Sequence, residues 1–260
     1  MSTEHPFLAI TVGNTRTAIA TISGGSVEDI AIFSSTKTSD IVEKALKQWG
    51  AIDGESPQIV MAASNETTAK TIAATLADQT SRQIWQIGED IPVAIGQHLD
   101  PETITGTDRL LNATAAWEIT HQACVVVDAG TCITIDFVDG EGTFHGGAIA
   151  PGAQMQLKAM QQGTTALPDV SFERPLREAF GKSTAQAMLQ GVFHGIKGMV
   201  RQLCEQYAAR YGAYPAIIAT GGDAMLLFED DDFIEQIVPD LQLQGIAVSV
   251  NHAMTVEDNG

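Results

Sequence analysis

Apolar and polar positions alternate most clearly in two places along the chain. Phe7–Ile10 and Thr17–Ile22 are apolar or β-branched stretches on either side of Gly13-Asn14, and Ala123–Val127 and Ile133–Val138 flank Gly130 in the same way. Each set predicts a strand–turn–strand unit, because β-branched runs broken by a glycine turn favour a hairpin. Elsewhere the period becomes helical. Ser39 is placed to cap a helix carrying Ile41, Val42, Ala45, Leu46 and Trp49, with Gly50 as its stop. Ser64 or Asn65 opens a second helix through about Ala77, and Arg109–Thr120 forms a third with Leu110, Leu111, Ala113, Thr114 and Trp117. Ser183 opens a long helix to Tyr211, closed by Gly212, with Met188, Val192, Ile196, Met199, Val200 and Leu203 at helical spacing. Gly191 and Gly195 interrupt it, each costing about 1 kcal/mol relative to alanine. Close approach of another backbone, within the chain or across a dimer, is the expected compensation. The pattern restarts near residue 123, so two similar α/β halves with a cleft between them are expected, residues 1–118 and 119–260.

Bulk composition narrows the partners. Of 260 residues, 44% are hydrophobic, enough for one large domain or two of about 100–150 residues each. No apolar run approaches the ~18–20 residues that span a bilayer, and Met1-Ser-Thr-Glu-His-Pro lacks a basic, then apolar, leader. A soluble, intracellular protein without a membrane partner is the expectation. Fourteen basic residues against 32 acidic ones give a formal charge of −18, which repels phosphodiester backbones and disfavours a nucleic-acid partner. An anionic ligand must therefore be held by local N–H groups and cations. Cys124, Cys132 and Cys204 lack a C-x-x-C spacing and read as buried thiols. The six histidines (His5, His98, His121, His145, His194 and His252) lack metal-ligand spacing, so no zinc site is expected. Glu229-Asp230-Asp231-Asp232 lacks the glycine and ligand period of an EF-hand and reads as a solvated loop with a helix N-terminus.

Three glycine turns carry the candidate chemistry. They are Thr11-Val12-Gly13-Asn14-Thr15-Arg16, Asp128-Ala129-Gly130-Thr131-Cys132 and Ala219-Thr220-Gly221-Gly222-Asp223-Ala224, each after a short apolar run. Glycine lets the backbone approach a phosphate and turn its N–H groups inward, and a neighbouring threonine adds a donor. One such turn means little; three in a chain are a pattern. In Walker and Rossmann loops the glycines lead into a helix. Here Gly130-Thr131 leads into alternating Cys-Ile-Thr-Ile-Asp-Phe-Val, and Gly181-Lys182-Ser183 lacks the preceding Walker glycine. Phosphate held on hairpins is the arrangement of the actin–hexokinase superfamily, so the expected fold is α/β, two related ribonuclease H-like lobes with a central cleft. Asp128 ends its strand beside a turn, where it can bind a cation. Asp108, in Gly106-Thr107-Asp108-Arg109, is either a helix cap or a general base for a substrate hydroxyl.

These segments together resemble the type III pantothenate kinases, the group that includes the Bvg accessory factor proteins. The resemblance runs through Gly13-Asn14-Thr15, Gly106–Arg109, Asp128–Thr134, Gly146-Gly147-Ala148-Ile149-Ala150-Pro151-Gly152, Thr165–Pro168, Gly181–Thr184 with Gly191, and Thr220–Asp223. It implies ATP-dependent phosphorylation of pantothenate to 4'-phosphopantothenate, the first step towards coenzyme A. It further implies a cytoplasmic homodimer that uses ATP with Mg²⁺ or another divalent metal, and a monovalent cation, K⁺ or NH₄⁺. By the same resemblance Asp108 accepts the proton, and Gly106, Thr107, Asp108, Arg109 and Thr184 meet the substrate. Thr11, Gly13, Asn14, Thr15, Thr131, Gly221 and Gly222 fall at ATP-binding positions, and Asp128 holds the monovalent cation.

Two departures stand out. The family's first turn reads D-x-G-N-T-x-x-K, whereas this chain has Thr11 and Ala18 at the charged positions. A tyrosine usual before the Gly-x-Asp-Arg segment is also absent from Gln97-His98-Leu99-Asp100-Pro101. Retained Asp108 and Asp128 favour a working kinase; Thr11 favours a degenerate paralogue that binds ligand or regulates.

Overall fold

The computed structural model describes residues 6–54 and 57–258; His5 lies outside them. In chain order the first elements are β1 (Phe7–Val12), β2 (Arg16–Ser23), β3 (Ser26–Ser34), α1 (Thr38–Trp49), β4 (Ile59–Ala63), α2 (Glu66–Thr80), β5 (Ile84–Gln86), β6 (Gly96–Gln97) and α3 (Thr107–Thr120). Then come β7 (Cys124–Ala129), β8 (Cys132–Val138), β9 (Thr143–Pro151), α4 (Ala153–Gly163), α5 (Thr184–Tyr211), β10 (Ala216–Thr220), α6 (Ala224–Phe228), β11 (Gln236–Ile237) and α7 (Leu241–Asp258). The described residues contain no helix long and apolar enough to cross a membrane.

The chain divides into two compact units. One runs to Gly96 and takes in Asp100–Ile119 and the chain from Asp240 onward; the other holds Gln97–Leu99 and Thr120–Pro239. The sheets have the orders β3-β2-β1-β4-β5 and β11-β10-β7-β8-β9-β6. In both, a central strand pairs antiparallel with its hairpin partner on one side and parallel with a later strand on the other: β1 with β2 and β4, β7 with β8 and β10. Parallel pairing requires a crossover.

In the first unit β1 is buried on both faces. Leu8, Ile10 and Val12 pack with Ile41, Val42, Ala45, Ile72 and Leu76 of α1 and α2. On the other face Phe7 and Ala9 pack with Leu111 of α3 and with Leu243, Ile246, Ala247 and Val250 of α7. Those four α7 residues fall at i, i+3, i+4 and i+7, one face of a helix. Burying Leu243, Ile246 and Val250 stabilises by about 1.5–3 kcal/mol each, so the helix belongs with this sheet although the sequence placed 119–260 in the second lobe. At Gly245 a Cβ would strike the Leu111 carbonyl, which fixes how closely α7 lies on α3.

In the second unit, Val125, Val127, Ile133, Ile135, Ile217 and Ala219 of the sheet pack against Met188, Leu189, Val192, Ile196 and Val200 of α5. The Ser183 hydroxyl caps α5 by accepting from Gln186 N–H at 3.2 Å, and Gly212 ends it in the left-handed conformation at φ 89°. Among the described residues, nothing outside the backbone of α5 itself lies within 4 Å of a Cβ built on Gly191 or Gly195. Close approach of another described segment is therefore not their compensation. Other local expectations shift as well. Lys37, not Ser39, occupies the cap position of α1, without a side-chain cap bond. The acidic run follows α6 and starts no helix; Arg174 pairs with Glu229 and Asp230, and Lys197 pairs with Asp231 at 3.0 Å.

Candidate functional site

The first turn is a tight hairpin. Gly13 N–H donates to the Arg16 carbonyl at 2.9 Å, and the Gly13 carbonyl accepts from the Ser35 hydroxyl at 2.7 Å. Ser35 is in turn 3.0 Å from the Thr17 hydroxyl, while its N–H bonds the Thr15 carbonyl. The Val12 carbonyl takes the N–H groups of Ser64 and Asn65, the latter the side-chain cap of α2. Gly13 is half-buried, whereas Asn14 and Thr15 are exposed. Ser35 was not legible as a turn brace, because it lies eighteen residues from Thr17. Thr11 is buried at the end of β1, and its cross-strand neighbours are Ala18 on β2 and Ala62 on β4. Both departures from the family's charged pattern thus sit directly opposite each other.

The second and third turns converge at one end of the second sheet. Gly130 N–H donates to the Cys132 carbonyl at 3.0 Å. Asp128 pairs in register with Thr134 and with Thr220. Asp223 N–H donates to the Ala129 carbonyl at 2.8 Å, which ties the third turn to the second. Gly221 has φ +94°, and a Cβ there would strike Asp128 Oδ1. Gly152 N–H bonds the Thr131 carbonyl at 3.1 Å, and a Cβ on Gly152 would collide with the Gly130 carbonyl. The Gly146–Gly152 block therefore ends by packing bare backbone on the second turn. Asp128, Thr131, Gly221 and Gly222 lie in this one region. The first two turns lead into strands; the third leads into the short helix α6.

Asp108 is the second residue of α3. The cap position belongs to Gly106, whose carbonyl accepts from Arg109 N–H at 3.1 Å, so the plain-cap reading of Asp108 is not what the backbone shows. Its Oδ1 accepts from Arg109 N–H at 2.9 Å, and the residue stays half-buried. Thr107 lies at the first position of α3, its hydroxyl 3.5 Å from a Cβ built on Gly88. Thr184 is the exposed first residue of α5. A groove of about 350 Å³ between α1 and α2, near Val42 and Ile72, contains none of these residues.

Two of the three cysteines are buried as expected, whereas Cys132, at the start of β8, is only half-buried. Burial pushes the Cys124 and Cys204 thiols up to about 12, which leaves both protonated and unreactive.

Two α/β units with hairpins and glycine turns at the ends of central strands form a fold of the actin–hexokinase class. Solved structures support the fold. A conserved Baf-family protein from Campylobacter jejuni superposes with TM-score 0.64 at 19% identity, over 96% of this chain and 100% of that one. MreB 5 of Spiroplasma citri, bound to AMPPNP, superposes with TM-score 0.54 at 10% identity, over 98% and 99%. The chain belongs to the type III pantothenate kinase family, whose sequence profile matches residues 7–206. It is 35% identical to the type III pantothenate kinase of Rhodospirillum rubrum, over 93% of this chain and 96% of that one. The Myxococcus xanthus enzyme is 31% identical, over 95% and 99%. The protein is accordingly a kinase that phosphorylates pantothenate on the way to coenzyme A.

Proposed function

We propose that Asp108 accepts the proton of the pantothenate primary hydroxyl and that Gly106, Thr107, Arg109 and Thr184 position this substrate. The half-buried carboxylate at the start of α3 carries this assignment, since it is placed by the helix without serving as its cap. Arg109, adjacent to Asp108, is the residue assigned as counter-charge to the substrate's carboxylate on an otherwise acidic chain. ATP with a divalent metal supplies the phosphoryl group and neutralises its charge. The backbone cradles fit a phosphate chain: Thr11, Gly13, Asn14 and Thr15 on the first turn, with Thr131, Gly221 and Gly222 on the others. A side chain on Gly221 would fill its cradle. Asp128, beside Thr134 and Thr220, offers a charged oxygen with hydroxyl neighbours for a monovalent cation such as potassium. A cytoplasmic homodimer is the assembly in keeping with the family, and the open Gly191–Gly195 face of α5 suits contact with a second copy.

The test is a coupled assay with ATP, Mg²⁺, K⁺ and pantothenate. Asp108→Asn lowers kcat by about 10²–10⁴-fold while leaving the thermal transition in place. Unchanged turnover in that variant removes Asp108 from the proton transfer. An inactive native protein that gains turnover on Thr11→Asp reverses the reading of the first turn.

A further inference from the structure

Away from the glycine turns, the second unit brings together two histidines that the sequence separates by 47 positions. His98 follows β6, and His145 lies on β9. Their Nδ1 atoms are 3.4 Å apart, and their rings meet edge to face at 82°. Behind them, Asp139 Oδ2 lies 2.7 Å from His145 Nε2. Asp139 is itself fixed, because its Oδ1 accepts the Glu141 and Thr143 N–H groups at 3.0 and 2.9 Å. The Phe137 ring rests against His145, with centroids 5.8 Å apart. Backbone contact holds His98 in place too, through its N–H to the Phe144 carbonyl at 2.9 Å.

These contacts are compatible with one neutral tautomer of each ring. An Nε2–H donated to Asp139 leaves His145 Nδ1 with a lone pair, which accepts from His98 Nδ1–H. His98 is exposed, so shifting its proton to Nε2 through water frees a second lone pair. We propose that His98 and His145 chelate a borderline divalent ion of the zinc class through their Nδ1 atoms, with Asp139 orienting His145. Two nitrogens at the usual ~2.0–2.1 Å from a tetrahedral zinc stand about 3.3 Å apart, close to the spacing already present. A ligating imidazole that donates its other N–H to a carboxylate is the usual second layer of such a centre. Among the described residues no group of three or more His, Cys, Asp or Glu side chains converges to hold a metal, so water completes the coordination. Imidazole nitrogen prefers Zn²⁺, Ni²⁺ or Cu²⁺ to Mg²⁺, and the site is chemically distinct from a Mg–ATP site. Occupation pins residues 97–99 to β9, where Leu99 already packs against Gly146.

The experiment is a zinc titration of the chelator-washed full chain in excess Mg²⁺, read by calorimetry and by competition with a chromophoric chelator. One equivalent binds to the native protein, and binding is lost in His98→Gln and in His145→Gln. Asp139→Asn weakens it about 10–100-fold. Zinc binding of equal strength in both histidine variants, or no stoichiometric binding by the native chain, overturns the site. Should a variant fold poorly, diethyl pyrocarbonate labelling of the native protein decides. Zinc must protect His98 and His145 selectively, and equal labelling with and without zinc refutes the proposal.

Discussion

In the first hairpin the strand leading to the turn ends on Thr11 and Val12; in the second it ends on Asp128 and Ala129. Both pairs stand immediately before the turn glycine, and in both the glycine N–H closes back onto the returning strand. Their surroundings differ. Thr11 is flanked by Ala18 and Ala62, whereas Asp128 is flanked by Thr134 and Thr220. A carboxylate taken from water needs donors or a counter-charge, or it costs several kcal/mol. The second turn offers hydroxyls and keeps its acid; the first offers methyl groups and has none. The sequence difference at one position is thus matched by its neighbours, as expected if aspartate and lysine were lost from β1 and β2 as a unit.

Several substitutions break or sharpen this contrast. The largest effect is expected at Gly221→Ala, where a positive φ and the Asp128 carboxylate both oppose a side chain. A loss of about 2–4 kcal/mol in denaturant unfolding is expected, together with weaker ATP binding. Next comes Thr11→Asp alone, which sets an uncompensated charge among alanines and costs about 2–3 kcal/mol. Adding Ala18→Lys recovers at least half of that, and an additive double-mutant cycle refutes the idea of a paired loss. Gly245→Ala follows at about 1–3 kcal/mol, through the clash with Leu111, and it loosens the first unit.

The smallest effect is a pH dependence outside both turns. Burial pushes the Asp231 carboxyl up, but the Lys197 ammonium, the Phe233 N–H and Arg201 outweigh it, leaving it below its usual value. A depressed folded value stabilises fully above the unfolded value near ~3.9, and that stabilisation disappears as pH falls through the folded value. Lys197→Met should flatten the loss of Tm below about pH 4; an unchanged acid profile contradicts the assignment.

Much of the site could be read from the chain because it is local. The strands around Gly13 and Gly130, the Asn65 and Ser183 caps and the Gly212 stop are each decided by residues a few positions apart. Asp108 was found as a residue, although its position inside the first turn of α3 was not. What escaped is set by contacts across the chain. The edge strand β3 exposes Ile30 and Ile32, and so shows no alternation to read. Ser35 on the first turn and the His98–His145 pair depend on register between distant segments. The seam of α7 has a clear helical period, but periodicity does not say which sheet it covers.

That last element bears on the order in which the protein can be made. The sheet that begins at Phe7 precedes α7 by more than two hundred residues in chain order, so the part of its face that Leu243, Ile246, Ala247 and Val250 cover stays wet until residues 243–250 have been made. The unit whose sheet comes earlier in the chain is therefore completed later than the other, and its half-covered strands depend on a helix that arrives only after residues 120–239 have been synthesised.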